Sequence, residues 1–298
     1  MGAMRRRDFI KTGTLGIAGL SLMRAAKLEG TIKKAVKFGM VQEDGLSVLE
    51  KFQLLQELGF DGVEMDSPSN LDRDEVIAAS QVSGLPIHGV VDSVHWQKTL
   101  SDPDAAVRAE GLAGLSTALR DAHAYGASTV LLVPAVVNKQ VSYVDAYVRS
   151  QLEVRKVLPL AAELGVKIAF ENVWNMFLLS PLECVRYVDE FESDLVGWYF
   201  DVGNVVNYGW PEHWIRTLGH RILKLDIKEY SRAKRDQEGP YAGFRVPLGE
   251  GDCDWPAVVE ALSEIGYEGW ATAEIAGGDK ERLREIAERM DRILPTTP

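Results

Sequence analysis

The stretch Leu164-Gly165-Val166-Lys167-Ile168-Ala169-Phe170-Glu171-Asn172 contains the unit from which the rest of the chain is built. The residues before it, 144–164, are amphipathic with helical spacing, and Gly165 supplies the left-handed cap at which such a helix stops. The run that follows is short and apolar, and it ends abruptly on an acid, as a strand buried on both faces does when its end reaches solvent. The same order of helix, glycine and apolar run recurs at Leu58-Gly59-Phe60-Asp61-Gly62, at Tyr125-Gly126-Ala127 and at Ile265-Gly266-Tyr267-Glu268-Gly269. Working outward from these marks, β-rich runs fall at 36–41, 62–66, 86–91, 129–134, 167–172, 196–203, 222–228 and 269–275. Helical patterns lie between them, at 47–58, 74–83, 105–125, 144–164 and 255–265. Eight strand-helix units in about 260 residues predict an α/β protein, a closed (β/α)8 TIM barrel forming one domain over residues 31–298. A doubly wound open sheet is the alternative. It lacks support, because no Gly-x-Gly-x-x-Gly turn follows the first run and no Walker loop is present.

Composition narrows the function. Of 298 residues, 46% are hydrophobic and 26% charged, enough apolar material for a large core. Asp and Glu number 44 against 33 Lys and Arg, and the resulting charge of −11 repels a phosphate backbone, so nucleic acid is not an expected partner. Two cysteines, Cys184 and Cys253, allow no multi-cysteine zinc site and are expected to be free thiols. At the N-terminus, Arg5-Arg6-Arg7-Asp8-Phe9-Ile10-Lys11 precedes an uncharged Gly/Leu/Ala-rich stretch, 12–22. This order resembles a twin-arginine export signal, so residues 1–30 are expected to be a leader and linker and the mature protein periplasmic or otherwise exported. The apolar stretch is short of the roughly 20 residues that span a bilayer, and stable membrane insertion of the mature protein is not expected.

In a barrel of this kind the chemistry belongs to the C-terminal ends of the strands. There the acids concentrate: Glu171 after the fifth run, Asp201 within the end of the sixth, Asp226 in the seventh and Glu274 in the eighth. Four carboxylates converging on one mouth repel each other strongly unless a cation or a basic partner joins them. A divalent metal meets that need, and an all-oxygen donor set favours Mn²⁺ first, with Mg²⁺, Co²⁺ or Zn²⁺ as alternatives. The competing reading makes each acid a helix cap or the ion-pair partner of Lys224 or Lys228. Other residues expected near the mouth are His88, Glu64 and Asp66, with Trp174 and Asn175 as a stacking wall and a hydroxyl-binding amide for a sugar ring. His95 and Trp96 follow in the loop after the third run.

The order Glu171, Asp201, Asp226, Glu274, with Phe244-Arg245-Val246-Pro247-Leu248-Gly249-Glu250-Gly251-Asp252, resembles the xylose isomerase-like TIM-barrel superfamily of sugar epimerases, ketose isomerases and inosose dehydratases. The resemblance covers nearly the whole chain beyond the leader. It implies that Glu171, Asp201 and Glu274 hold a metal and that the two glutamates move a proton, with Asp226 in the place of a ligating histidine. It also implies substrate contacts for Arg245, and it places Lys224 and Asn204 where substrate-side histidines are common. The activity implied is a sugar isomerase or epimerase that removes a proton α to a carbonyl through a metal-stabilised enediolate. A lyase or dehydratase acting on a keto-sugar, keto-glycoside or inosose would use the same first step, and a non-catalytic sugar-binding barrel is a reading from another class. A nuclease resembling endonuclease IV would need more strand-end histidines and a basic surface. The expected partner is a small carbohydrate, which leaves a homo-oligomer open. The charged segment 230–243 reads as a lid or a subunit contact.

Overall fold

The computed structural model describes residues 32–295, so the export-signal reading of residues 1–30 lies outside the described residues. Eight parallel strands pair in sequence order and close into one barrel. They are β1 (Ile32–Lys37), β2 (Gly62–Ser67), β3 (Ile87–Asp92), β4 (Thr129–Leu132), β5 (Lys167–Glu171), β6 (Val196–Asp201), β7 (Ile222–Ile227) and β8 (Gly269–Ala273). Around them run α1 (Val48–Glu57), α2 (Arg73–Ser83), α3 (Ala105–Tyr125), α4 (Tyr143–Leu164), α5 (Pro181–Asp189), α6 (Val202–Val206), α7 (Pro211–Leu218), α8 (Arg232–Glu238), α9 (Trp255–Glu264) and α10 (Lys280–Ile293). This is the TIM barrel expected from the alternation.

The first strand corrects the sequence reading. It spans Ile32–Lys37 rather than 36–41, and Phe38–Met40 is a 3-10 turn. Lys33 and Lys34 had broken the apolar pattern there, yet both are accommodated: the Lys33 ammonium lies 5.1 Å from the Trp270 ring and Lys34 pairs with Asp291 of α10 at 2.7 Å. Residues 32–36 then register with 269–273 of β8, and this pairing closes the barrel. The correction places Lys37, and not Val41, at the mouth.

The main core lies between strands and helices, with Phe52, Leu115, Val154, Ile168, Phe170, Trp198 and Ile286 buried in it. Among the described residues the barrel interior holds a small apolar cluster, Leu131, Ala169 and Tyr199 with Val91 and Leu223 packed on it, beside buried polar side chains such as Glu64, His88, Lys224 and Thr272. Helix starts are capped by side chains, Ser47 on α1, Asp104 on α3 and Ser142 on α4, which satisfy backbone N–H groups that a helix leaves open. At the far end of α4, Gly165 adopts φ 65° and lets the chain turn directly into β5. Both cysteines are free and buried. Among the described residues no helix is long and apolar enough to cross a membrane.

Candidate active site

The ends of β5, β6 and β8 bring Glu171, Asp201 and Glu274 together, each offering a carboxylate oxygen within 4.8 Å of the others. Asp201 is held by a dedicated network. Its Oδ1 accepts the Asn204 N–H at 2.8 Å and so caps α6. Its own N–H donates to Asn172 Oδ1 at 3.0 Å, while Asn172 Nδ2 donates to the Asp201 carbonyl at 2.8 Å. Trp198 Nε1 also donates to Asn172 Oδ1, so a buried amide after β5 locks the end of β6. The other oxygen, Asp201 Oδ2, is thereby left facing the two glutamates. Glu171 Oε1, Asp201 Oδ2 and Glu274 Oε2 are buried around a single ammonium group.

The nearest cation is the chain's own. Lys228, just after β7, reaches to 2.7 Å from Asp201, 3.1 Å from Glu274 and 3.9 Å from Glu171. Asp226, expected as a fourth ligand, stands beside the cluster, in side-chain hydrogen-bond contact with Glu274, and also faces a second lysine. Lys37 stands 3.0 Å from it and also pairs with Glu64, its register partner on β2. Around these two ammonium groups stand the carboxylates of Glu64, Glu171, Asp201, Asp226 and Glu274, with Asp66 and Asp92 also on the lining of the mouth. Three carboxylates whose oxygens lie within 4.8 Å, and which one lysine does not neutralise, match the oxygen shell of a divalent ion with bonds of about 2.0–2.6 Å. The residues fit a cation.

Environment separates the acids. Burial, and then the neighbouring Glu274, hold the Glu171 carboxyl well above the usual carboxylate range. Burial also pushes Glu274 upward, but Lys228 and Lys37 outweigh it and bring that group down to about 2. Its side chain is 35% exposed to the cavity. Asp226 and Asp201 are both raised, chiefly by burial. Lys37 and Lys228 are raised, because the surrounding acids outweigh the burial that would lower them.

Above these groups opens a cavity of about 500 Å³ lined by Lys37, Asp66, Asp92, His95, Trp96, Glu171, Trp174, Asn204, Lys228, Tyr241, Phe244 and Glu274 among others. Several expected contacts lie elsewhere. His88 is the second residue of β3, beside the register shift at Val63/Glu64, and stacks on Trp270 deep in the barrel rather than at the mouth. There it meets Lys224 Nζ at 3.0 Å and Thr272 Oγ1 at 3.2 Å. Lys224 is two residues short of Asp226 on the same inward row, which puts it below the mouth. Burial lowers its ammonium to about 7. Asn175 spends its side chain on the Ala135 carbonyl and the Phe177 N–H. Arg245 is exposed and points to Glu238 at 3.4 Å, outside the cavity lining. Trp174 and Asn204 do line the cavity, the indole Nε1 donating to the Asn204 carbonyl at 2.9 Å.

Sequence reasoning missed Lys37, Lys228 as a member of the site, Asp92, Tyr241 and Phe244. The signal for Lys37 was its place at the end of the run Ile32-Lys33-Lys34-Ala35-Val36-Lys37, had that run been read as one strand; for Lys228, it was the position two residues beyond Asp226 on the inward row. His95 is buried, its Nδ1 accepting the Val133 N–H at 3.3 Å, and burial lowers its pKa to about 4, so it presents a neutral ring with Nε2–H as donor.

Known proteins bear on this geometry. The model of the xylose isomerase-like TIM barrel family matches residues 52–294. In sequence the chain is 27% identical over 259 residues to L-ribulose-5-phosphate 3-epimerase UlaE of Escherichia coli O1:K1 / APEC, covering 80% of this chain and 87% of that one. In structure it is similar to the 3-keto-D-glucoside 4-epimerase YcjR from E. coli, with TM-score 0.72 and 18% identity over 88% of this chain and 98% of that one. It is equally similar to D-allulose 3-epimerase from Methylomonas sp., with TM-score 0.72 and 18% identity over 89% and 99%. At such identities the structural likenesses establish the fold alone.

Proposed function

The chain belongs to the xylose isomerase-like TIM barrel family, and from that premise we propose that it is a sugar isomerase of the epimerase type, moving a proton at the carbon beside a carbonyl. The observation that carries this reading is geometric: two glutamates, Glu171 and Glu274, meet Asp201 with carboxylate oxygens within 4.8 Å of one another and line one cavity. One of the two glutamates would take the proton and the other would return one. They come from β5 and β8, three strands apart, so they address a bound sugar from different directions, as return of the proton to the opposite face requires. Lys228 between them offers hydrogen bonds to developing charge on a sugar oxygen, and the neutral His95 and the Asn204 side of the cavity orient hydroxyls.

A divalent cation held by Glu171, Asp201 and Glu274, Mn²⁺ or Mg²⁺ by the chemistry of the donors, would supply positive charge at the substrate's carbonyl and adjacent hydroxyl oxygens. Each glutamate has two oxygens, so one can face that position while the other exchanges a proton. Asn172 does not touch substrate; it keeps Asp201 aimed.

Incubation with candidate keto-sugars in deuterated water tests the proposal. Solvent deuterium entering the sugar without loss of atoms is expected, and both Glu274→Gln and Glu171→Gln are expected to slow it by at least about 100-fold with the fold intact by circular dichroism. Loss of water or of an aglycone would instead favour elimination at the same site. Undiminished exchange in both variants would remove the proton-transfer assignment.

A further inference from the structure

Trp174, Phe244 and Tyr241 form one wall of the cavity, with Trp174 5.0 Å from Phe244 and 5.2 Å from Tyr241 between ring centroids. The wall is anchored from behind. Trp174 is held by its indole N–H on the Asn204 carbonyl. Phe244 packs edge-on against buried Tyr230, whose hydroxyl donates to the Pro240 carbonyl at 2.8 Å. Gly243 lies so close to the Tyr230 ring that a Cβ there would collide with it, and its carbonyl accepts the Ser231 N–H at 2.8 Å. Arg232 and Arg235 then tie the α8 segment to the Val206, Gly209 and Asn207 carbonyls. Despite that anchoring, Tyr241 is 74% exposed, and Trp96, also on the cavity lining, is 47% exposed. Fixed aromatic faces left open to water beside a polar reaction centre are stacking surfaces for a ring.

Charge and size restrict that ring. Both lysines of the lining stand at the acid end, Lys37 on Glu64 and Asp226 and Lys228 on Asp201, and Arg245 beside Phe244 turns outward to Glu238, so among the described residues the aromatic wall itself carries no cation for a phosphate or carboxylate. A hexose displaces on the order of six waters of liquid, roughly 180 Å³ at about 30 Å³ each. The cavity of about 500 Å³ leaves room for a second group of similar size. We propose that the aromatic wall is a subsite for an uncharged ring attached to the reacting sugar, making the substrate a keto-glycoside and not a free ketose or a sugar phosphate. The proposal rests on the epimerase reading for what happens at the acid end, but ring binding requires no turnover.

Calorimetric titration of the full-length protein with phenyl β-D-glucoside, methyl β-D-glucoside, glucose and glucose 6-phosphate separates the two. The phenyl glycoside is expected to bind about threefold to tenfold more tightly than the methyl glycoside, the range for one good aromatic stack, and more tightly than either glucose or its phosphate. Tyr241→Ala is expected to shrink that phenyl-to-methyl ratio to within about twofold; Tyr241 is exposed, so its removal does not threaten the fold. Equal affinities, no measurable binding of the phenyl glycoside, preference for the phosphate, or a ratio untouched by Tyr241→Ala would overturn the subsite. A ring preference lost in Tyr241→Ala but unaccompanied by deuterium exchange on any keto-sugar would keep the subsite and sink the epimerase reading.

Discussion

Single residues at this mouth derive their properties from burial and from the order in which charges are shared out. Asp92, at the end of β3, shows this without the complication of the acid cluster: burial raises its carboxyl to about 7 although its Oδ1 accepts the Val94 N–H at 3.2 Å. In the unfolded chain the group titrates near 3.9. The folded protein therefore binds the extra proton between about pH 4 and pH 7. The stability that this proton brings is whole below about pH 4 and is lost as the pH rises to about 7. Asp92→Asn keeps the accepting oxygen and removes the charge. Its melting temperature is expected to match the wild type at about pH 4 and to exceed it by about 5 °C at pH 8, an allowance of about 2 kcal/mol after screening by cavity water. Parallel curves across that window would show that Asp92 is not a neutral acid in the folded protein. Cys184 and Cys253, also buried, have their thiols pushed well above the ordinary range by that burial and take no part in the site.

Elements matter here for where they stop. Each strand must end with its last inward side chain at the mouth, and helix caps set those ends: Asp201 closes β6 by capping α6, and Gly165 closes α4 one residue before Val166 leads into β5. At Gly165 a Cβ would meet nothing within 4 Å, so its only requirement is the backbone angle, φ 65°. Gly165→Ala is expected to cost about 1 kcal/mol and to lower the melting temperature by about 3 °C, while leaving deuterium exchange at wild-type rate because β5 keeps its register. A loss of exchange larger than the loss of stability would mean that this turn aims Glu171 as well as ending the helix. The segment 230–243, read from the sequence as a lid or subunit contact, is braced against the barrel by Tyr230, Arg232 and Arg235 and contributes Tyr241 to the cavity wall. Glu229 explains the bracing of its far side: this buried carboxylate accepts from the Gly249 and Cys253 N–H groups and from Trp255 Nε1 at 2.7, 3.1 and 2.8 Å.

The closed barrel as a whole concentrates negative charge that its own lysines only partly offset, which makes a bound cation a matter of stability as well as chemistry. Mn²⁺ at 100 times its dissociation constant is expected to stabilise the fold by about 2.7 kcal/mol and to raise the melting temperature by about 5–10 °C, with reversal by EDTA. Lys228→Met removes the ammonium that stands among Glu171, Asp201 and Glu274, so without metal it is expected to melt below the wild type and with Mn²⁺ to show the larger rise. If Mn²⁺, Mg²⁺, Co²⁺ and Zn²⁺ all leave both melting curves unmoved, the three acids do not form a cation site. From the sequence alone, the alternation of helix, glycine and apolar run determined the eight-unit barrel, because helix caps and strand burial are local requirements. The same ladder located Glu171, Asp201 and Glu274, since a strand end in a barrel has one destination. What only the tertiary structure decided was partnership. Lys37 and Asp226 are 189 positions apart and meet because the barrel closes, His88 and Lys224 fall below the mouth because of strand register, and the aromatic wall is assembled from the segments after β5 and β7. Those pairings depend on closure and stagger, which no stretch of chain encodes by itself.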